Sequence, residues 1–309
     1  MVDDLLYRYF HPTRGVCDER IWDVFYPDPS GIGSNIHMAS LAVGCSVLQG
    51  RMTAFGGRFS YDDPKFCGPG VPFFECYFQP HNNCSRPQPN GARMSLCKLE
   101  EFPQVRDLLR LGIMPSDDPR ARFVNHTFRR GWWTSQFMLL LLNPNPKFLQ
   151  FMRKNLNPYL PLPHPVVALH VRHGDKYKEM KLHPFSEYLV AVQQIALRAN
   201  TNITYAFVST EDGGVIDECV AQNQKPYQFL YTVNHSRFNS GPLQAIGRHG
   251  CLEEIRIAFM NLFLCLESDF FVWTRGSNWS RLIDELRNMT GSCGAHTVDL
   301  EPAGHLDAC

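Results

Sequence analysis

The stretch Val166 to His183, VVALHVRHGDKYKEMKLH, constrains the fold more than any other. Its first six residues form a short apolar run rich in β-branched side chains, and a proline-rich stretch, Pro158 to Pro165, precedes it. Length and flanks favour a buried strand over a helix. Ionisable residues crowd its end: His170, Arg172, His173, Asp175 and Lys176, with Gly174 free to turn the chain sharply. In open α/β sheets, ligands bind at the carboxyl ends of the strands. Arg172 carries a permanent charge and a planar donor fork suited to phosphate.

From Val166 onward, strands and helices alternate. A helix from Ser186, read as its cap, to about Asn200 is followed by a strand Thr204–Ser209 that ends in Thr210-Glu211-Asp212-Gly213. A helix Val215–Gln222, a strand Gln228–Val233 and a long apolar helix Leu252–Leu266 come next. Then come a strand Phe270–Thr274 and a helix opened by Gly276-Ser277-Asn278 and running to Asn288. Such alternation implies a parallel sheet. Upstream, a loop with Gly31 and Gly33 opens a helix to about Gln49, with Ser34 as its cap, and Met52–Phe55 reads as a strand. A glycine loop before a helix presents backbone N–H groups suited to an anion. Residues 60–100 read as an irregular, disulfide-stabilised insertion rich in Cys, Pro and Gly. Helices are expected over Glu100–Leu111, Gly131–Leu142 and Phe148–Leu156. Trp132 and Trp133 are expected in core packing rather than sugar stacking. The expected domains are 1–160, 161–295 with the nucleotide site, and a tail, 296–309.

Length allows one large or two ordinary domains, and zero formal net charge gives no field that would draw nucleic acid or an anionic membrane. Eleven cysteines and six sequons, at Asn83, Asn125, Asn202, Asn234, Asn278 and Asn288, together favour the oxidising secretory lumen. Cys67, Cys76, Cys84 and Cys97 are the expected disulfide set, with connectivity open. Cys45 and Cys265 lie on apolar helical faces and are expected to be buried thiols. The start, Met1-Val-Asp-Asp-Leu, is not that of a signal peptide, and the longest apolar run, Phe137 to Leu142, is too short to span a bilayer. No membrane contact is expected from the chain itself.

His170-Val-Arg-His-Gly-Asp-Lys176, followed by Glu179 and then His183-Pro184, resembles the nucleotide-sugar motif of the α1,6-fucosyltransferases. That family fucosylates the innermost GlcNAc of N-glycans and includes the rhizobial nodulation enzymes. Four further stretches occur in the family's order: Gly31 to His37, Trp132 to Phe137, His183 to Tyr188 and Asp269 to Thr274. The resemblance covers about residues 29 to 290 and implies a GT-B-like α/β fold, two Rossmann-like domains facing a cleft. It implies Glu179 as general base, supported by Asp175 and Lys176. It places His170, Ser277 and Asn278 at the nucleotide, and Gly31, Gly33 and Ser34 at the pyrophosphate or sugar. The motif departs from the family at three points: His173 stands where the core-fucosylating enzymes have a second arginine, Asn261 where they have a guanine-reading aspartate, and the segment from Lys176 to Glu179 is one residue shorter. Guanine recognition then falls to Asn261, or to Glu253 or Glu254. The family's N-terminal anchor and stem are not seen in the sequence, and its setting implies the Golgi lumen.

No Asp-x-Asp triplet occurs, and the pairs Asp62-Asp63 and Asp117-Asp118 sit beside proline as turn residues. The reading is therefore a metal-free, inverting transfer of L-fucose from GDP-fucose to a glycan or glycoprotein, with an α1,6 bond to an N-glycan GlcNAc. Arg172 and helix N-terminal N–H groups would face the diphosphate. A chito-oligosaccharide or a protein hydroxyl as acceptor, and a non-catalytic nucleotide-sugar or glycan binder, are the alternatives left open.

Overall fold

Trp22–Phe25 (β1) and Met52–Phe55 (β2) pair in parallel, from Trp22 opposite Met52 to Phe25 opposite Phe55. Parallel neighbours need a crossover, and helix Ile32–Leu48 (α1) supplies it. The computed structural model describes residues 9, 11, 22–80, 82–84, 130–222, 226–289 and 297–301. It divides into two units, Met1–Phe148 and Leu149–Cys309.

In the first unit, Ser34 is not the cap of α1. Gly31 occupies the cap position without a side-chain bond, and Ser34 lies inside the first turn. The Asn35 amide does the organising instead. It donates to the Ser30 and Gly31 carbonyls at 3.2 and 3.3 Å, and its Oδ1 accepts from Asp28 N at 3.0 Å. Two short helices follow β2, Pro64–Cys67 (α2) and Phe73–Tyr77 (α3), joined by a Cys67–Cys76 disulfide. Asp63 Oδ1 accepts from Lys65 N and Phe66 N at the start of α2, and Asp62 Oδ1 accepts from Phe73 N at 2.8 Å, so this acidic pair does hold turns. Over the described residues 60–80 the chain forms two short helices rather than an irregular loop. Phe55, Phe73, Phe74, Tyr77, Phe78 and Phe148 form one buried aromatic cluster. Cys84 is disulfide-bonded as expected; Cys45 is too, which corrects its reading as a thiol. An apolar helical face is equally compatible with a half-cystine, because burial alone does not report the oxidation state.

Helix Arg130–Leu141 (α4) packs on α1 and is followed by Pro146–Leu156 (α5). A Cβ on Gly44 would lie 3.0 Å from the Phe137 ring, so glycine permits this close approach. The Trp132 and Trp133 side chains, the Glu100–Leu111 helix, Asp117-Asp118 and Cys97 lie outside the described residues.

The second unit is a five-stranded parallel sheet. Its strands are Val166–Val171 (β3), Tyr205–Thr210 (β4), Gln228–Leu230 (β5), Phe270–Trp273 (β6) and Thr297–Asp299 (β7), in the order β5-β4-β3-β6-β7. β3 is central and buried along its whole length. Val167, Leu169 and Val171 meet helix Phe185–Ala199 (α6) through Tyr188, Val192 and Ile195, and helix Gly213–Gln222 (α7) through Val215 and Cys219. Each such fully buried aliphatic contributes about 1.5–3 kcal/mol. The alternate residues of β3 face the other layer, where His170 meets helix Asn278–Met289 (α10), and helix Cys251–Glu267 (α9) also packs on β3 and β4. Cys265 in α9 is a buried free thiol, as its sequence setting suggests.

Several features of the second unit differ from the sequence reading. β5 stops at Leu230 rather than Val233, and a helix Pro242–His249 (α8) lies in what reads as loop. The sheet continues past residue 295 through β7, so the expected tail contributes an edge strand. Pro184, not Ser186, holds the cap position of α6, and Asn200 ends that helix at φ 47°. Arg287, fully buried on α10, donates to the carbonyls of Cys265, Ser268 and Asp269 at 2.5–2.9 Å. A cation at the C-terminus of α9 satisfies its unpaired carbonyls and its dipole.

Candidate active site

Strand order reverses between β3 and β6: from β3 the chain builds outward through β4 and β5, then returns to the other side for β6 and β7. That reversal opens a crevice at the carboxyl ends of β3 and β6. The loops entering it carry Arg172 to Glu179 after β3, and Thr274 to Asn278 after β6.

The turn after β3 is a 3-10 helix, Gly174–Lys178. Gly174 has φ +50°, and a Cβ there would lie 2.9 Å from both Glu211 Oε1 and Ser240 O. Only glycine lets the chain turn against these groups. Two ion-pair systems fasten the turn to the end of β4. Arg172 Nη1 pairs with Glu211, and Nη2 donates to Asp175 Oδ1 at 2.7 Å. Glu211 also accepts the His173 N–H at 2.8 Å. Burial opposes the Arg172 charge, but the Glu211 and Asp175 carboxylates outweigh it and raise its pKa. The guanidinium sits at the strand end, and its charge is balanced by two carboxylates.

His173 is placed differently from expectation. Its Nδ1 is 2.7 Å from Asp212 Oδ2 and its Nε2 is 3.0 Å from His183 O. Both partners are acceptors, so the ring sits as an imidazolium donating twice within the protein. Burial alone would lower its pKa, but the bonds to His183 O and Asp212, with the charges of Asp212 and Glu211, raise it above the ordinary histidine value. Both nitrogens are engaged within the protein rather than held free for a donor phosphate. His173 ties β3, β4 and the start of α6 together. A raised folded-state pKa means this bond's stabilisation is full below the unfolded value of about 6.5 and is lost as pH rises through the folded pKa. The melting temperature of the wild type is therefore expected to fall more steeply as pH rises above about 6.5 than that of His173→Gln, which is uncharged at every pH. Asp284, whose carboxyl burial pushes up to about 7, is common to both proteins and drops out of the comparison. Equal slopes would show that the imidazolium is not what holds the turn.

Lys176 pairs with Glu179 at the end of the 3-10 turn; the lysine side chain is 13% exposed and the carboxylate 62%. Glu179 therefore stands at the outer rim of the turn, reachable from solvent. His170 is buried, with Nδ1 2.5 Å from Ser280 Oγ; burial and the nearby Arg172 charge push its pKa down to about 3, so the ring is neutral. Ser277 is buried, and its hydroxyl accepts the Ser280 N–H at 3.2 Å, capping α10. The half-buried Asn278 side chain accepts from Arg281. Asn261 is buried in α9, and its Oδ1 accepts from Thr232 Oγ1 at 3.2 Å. Glu253 is held by Arg256 and Glu254 by His249, so neither stands as an unpaired carboxylate. Gly31, Gly33 and Ser34 belong to the first unit, at the start of α1.

The functional set missing from the sequence reading is Glu211 and Asp212. Each anchors one member of the Arg172-His173 pair. Their signal was the one already used for β3, an apolar run ending in ionisable residues and glycine.

A family model described as alpha-(1,6)-fucosyltransferase N- and catalytic domains matches residues 114–292, more than half of the chain. The chain belongs to the α1,6-fucosyltransferase family. One solved structure at a TM-score of 0.50 supports the fold. This α1,6-fucosyltransferase family member overlays on a variant of Arabidopsis thaliana FUT1 in complex with GDP with a TM-score of 0.50 and 10% identity, covering 92% of this chain and 76% of that one. Fucosyltransferase NodZ from Bradyrhizobium matches at 0.43 and 11% identity over 86% and 91%. POFUT1 in complex with GDP matches at 0.43 and 10% identity over 88% and 96%. The fold of this family member is thus α/β of the GT-B class. Among the described residues no helix is long and apolar enough to cross a membrane.

Proposed function

We propose that this α1,6-fucosyltransferase family member transfers L-fucose from GDP-fucose to a glycan with inversion, forming an α1,6 bond to the innermost GlcNAc of an N-glycan, in the secretory lumen. The observation that carries this reading is the ionisable turn Arg172–Glu179 at the carboxyl end of the central strand, beside the switch point, in a chain whose second unit lies almost wholly within the family match. Such a turn supports the two services the transfer needs. The departing diphosphate gains negative charge. Arg172, together with the N–H groups at the start of α10, stabilises that charge. The acceptor hydroxyl must lose a proton as it attacks. Glu179, exposed at the rim, is the base for it. Asp175 and Lys176 hold these two groups, one on Arg172 and the other on Glu179.

The test is release of GDP from GDP-fucose with an N-glycan core, a chito-oligosaccharide or a protein hydroxyl as acceptor, with and without EDTA. Turnover on the N-glycan core, unchanged by EDTA and yielding an α1,6 product by NMR, is the expected outcome. Loss of turnover in EDTA and its return with Mn²⁺ would overturn the metal-free reading. GDP-fucose binding without release on any acceptor would make the chain a nucleotide-sugar binder.

A further inference from the structure

The cations at the carboxyl edge of the second sheet are not equivalent. Arg172 is balanced by Glu211 and Asp175, Arg275 by Asp299, and Arg256, in the first turns of α9, by Glu253. Arg237, in the loop after β5, has no carboxylate within ion-pair distance among the described residues. Its Nε donates to Thr210 O at 3.2 Å, where β4 ends, and its Nη2 donates to Thr232 O at 2.7 Å, just past β5, with a longer contact of 3.4 Å to Thr232 Oγ1. The Tyr231 ring lies 5.8 Å from the guanidinium. The remaining nitrogen, Nη1, takes no hydrogen bond among the described residues. So the guanidinium is clamped by two carbonyls and keeps an uncompensated charge. The neighbouring His235 registers it. Burial and the Arg237 charge push its pKa down to about 4. Its Nε2 lies 2.8 Å from Thr232 Oγ1, the hydroxyl that also donates to Asn261.

Strands lie about 4.8 Å apart. With the diphosphate at the β3–β6 crevice, a nucleoside can extend over β4 and β5 or over β7. The β7 side presents Asp299 and Glu301. The β4–β5 side presents Arg237. Guanine offers two adjacent acceptors, O6 and N7, and arginine is the commonest reader of that edge; adenine places a donor, N6, where O6 would be. Resting on the donor assignment above, we propose that Arg237 reads the O6/N7 edge of the donor's guanine and so sets base specificity, a role the sequence motif leaves to Asn261, Glu253 or Glu254.

The experiment measures GDP, IDP and ADP binding by calorimetry to wild type and to Arg237→Gln, with melting curves of both proteins. Wild type should bind GDP and IDP, which share O6 and N7, at least about tenfold more tightly than ADP. The substitution should remove that preference, lowering GDP and IDP affinity by about tenfold and leaving ADP unchanged. Equal losses for GDP and ADP would overturn the inference in favour of a phosphate contact, and an unchanged GDP:ADP ratio would overturn it outright. Should Arg237→Gln melt too early to use, 7-deaza-GDP on the wild type decides. It lacks N7 and should bind several-fold more weakly than GDP, and equal binding would overturn the proposal. A wild type that binds no nucleotide would instead sink the donor reading itself, so the two failures are separable.

Discussion

Arg172→Ala is expected to lower both stability and turnover, and by different mechanisms that can be separated. Removing the guanidinium leaves Glu211 and Asp175 facing each other without a counter-charge. Breaking a buried pair costs about 3–5 kcal/mol. Here the carboxylates are 26% and 42% exposed, so water screens part of the repulsion and about 2–3 kcal/mol is expected in denaturant unfolding. Arg172→Lys keeps the charge but replaces the planar fork with a single ammonium, and should recover part of that loss. The catalytic effect has its own origin. Loss of one strong donor to a developing anion costs about 10²–10³-fold in turnover. Glu211→Gln distinguishes the two, because it weakens the brace and leaves the cation in place. The double-mutant cycle between Arg172 and Glu211 should show coupling in stability. A destabilised Arg172→Ala protein with near-normal turnover would make Arg172 a brace of the turn and nothing more.

The first half of this site was legible in the sequence, because it is local. An apolar β-branched run, one glycine and a cluster of charges all fall within Val166–His183, and strand β3, its turn and the cation at its end follow from that order of residues. The second half was not legible, because it is pairing at a distance. Nothing in Arg172-His173 says which carboxylates they meet; register does, since β3 and β4 run in parallel with Val171 opposite Thr210, which brings Glu211 and Asp212 alongside. His173 shows the consequence. Its place in the motif was readable and its partners were not, so a ring expected at a phosphate turned out to face Asp212 and His183 O. The missed α8 and β7 are a different failure. Pro242–His249 is a short helix after a glycine-containing turn, and Thr297–Asp299 is a three-residue edge strand; neither is long enough to show a period. Ser34 and Ser186 misled as caps because serine near a helix start is a preference, whereas the backbone at Gly31 and Pro184 decides where each helix begins.

Glu179→Gln is expected to reduce turnover by about 10²–10⁴-fold and to leave GDP affinity unchanged, since a positioned base acts only in the transition state. The carboxylate is exposed at the rim of the 3-10 turn, and among the described residues its one ion pair is with Lys176 three residues earlier. No strand or helix packing depends on it, so the glutamine variant should melt with the wild type, and a loss of rate cannot be ascribed to unfolding. Glutamine keeps the size and can still accept a hydrogen bond from Lys176, but it cannot take the acceptor's proton. Lys176→Met is the companion. If the lysine positions the carboxylate, its removal should raise the Michaelis constant or lower turnover by less than Glu179→Gln, and the double variant should be no slower than Glu179→Gln alone. Retained turnover in Glu179→Gln would move the base to another group. Asp175 is next along the chain; its Oδ1 is held by Arg172, so protonating that carboxyl would weaken the pair. An alternative base there would make turnover of the Glu179→Gln protein depend on Arg172 far more steeply than in the wild type. Joint loss of GDP binding and activity in Glu179→Gln would show instead that the carboxylate holds the turn through Lys176 and does no proton transfer.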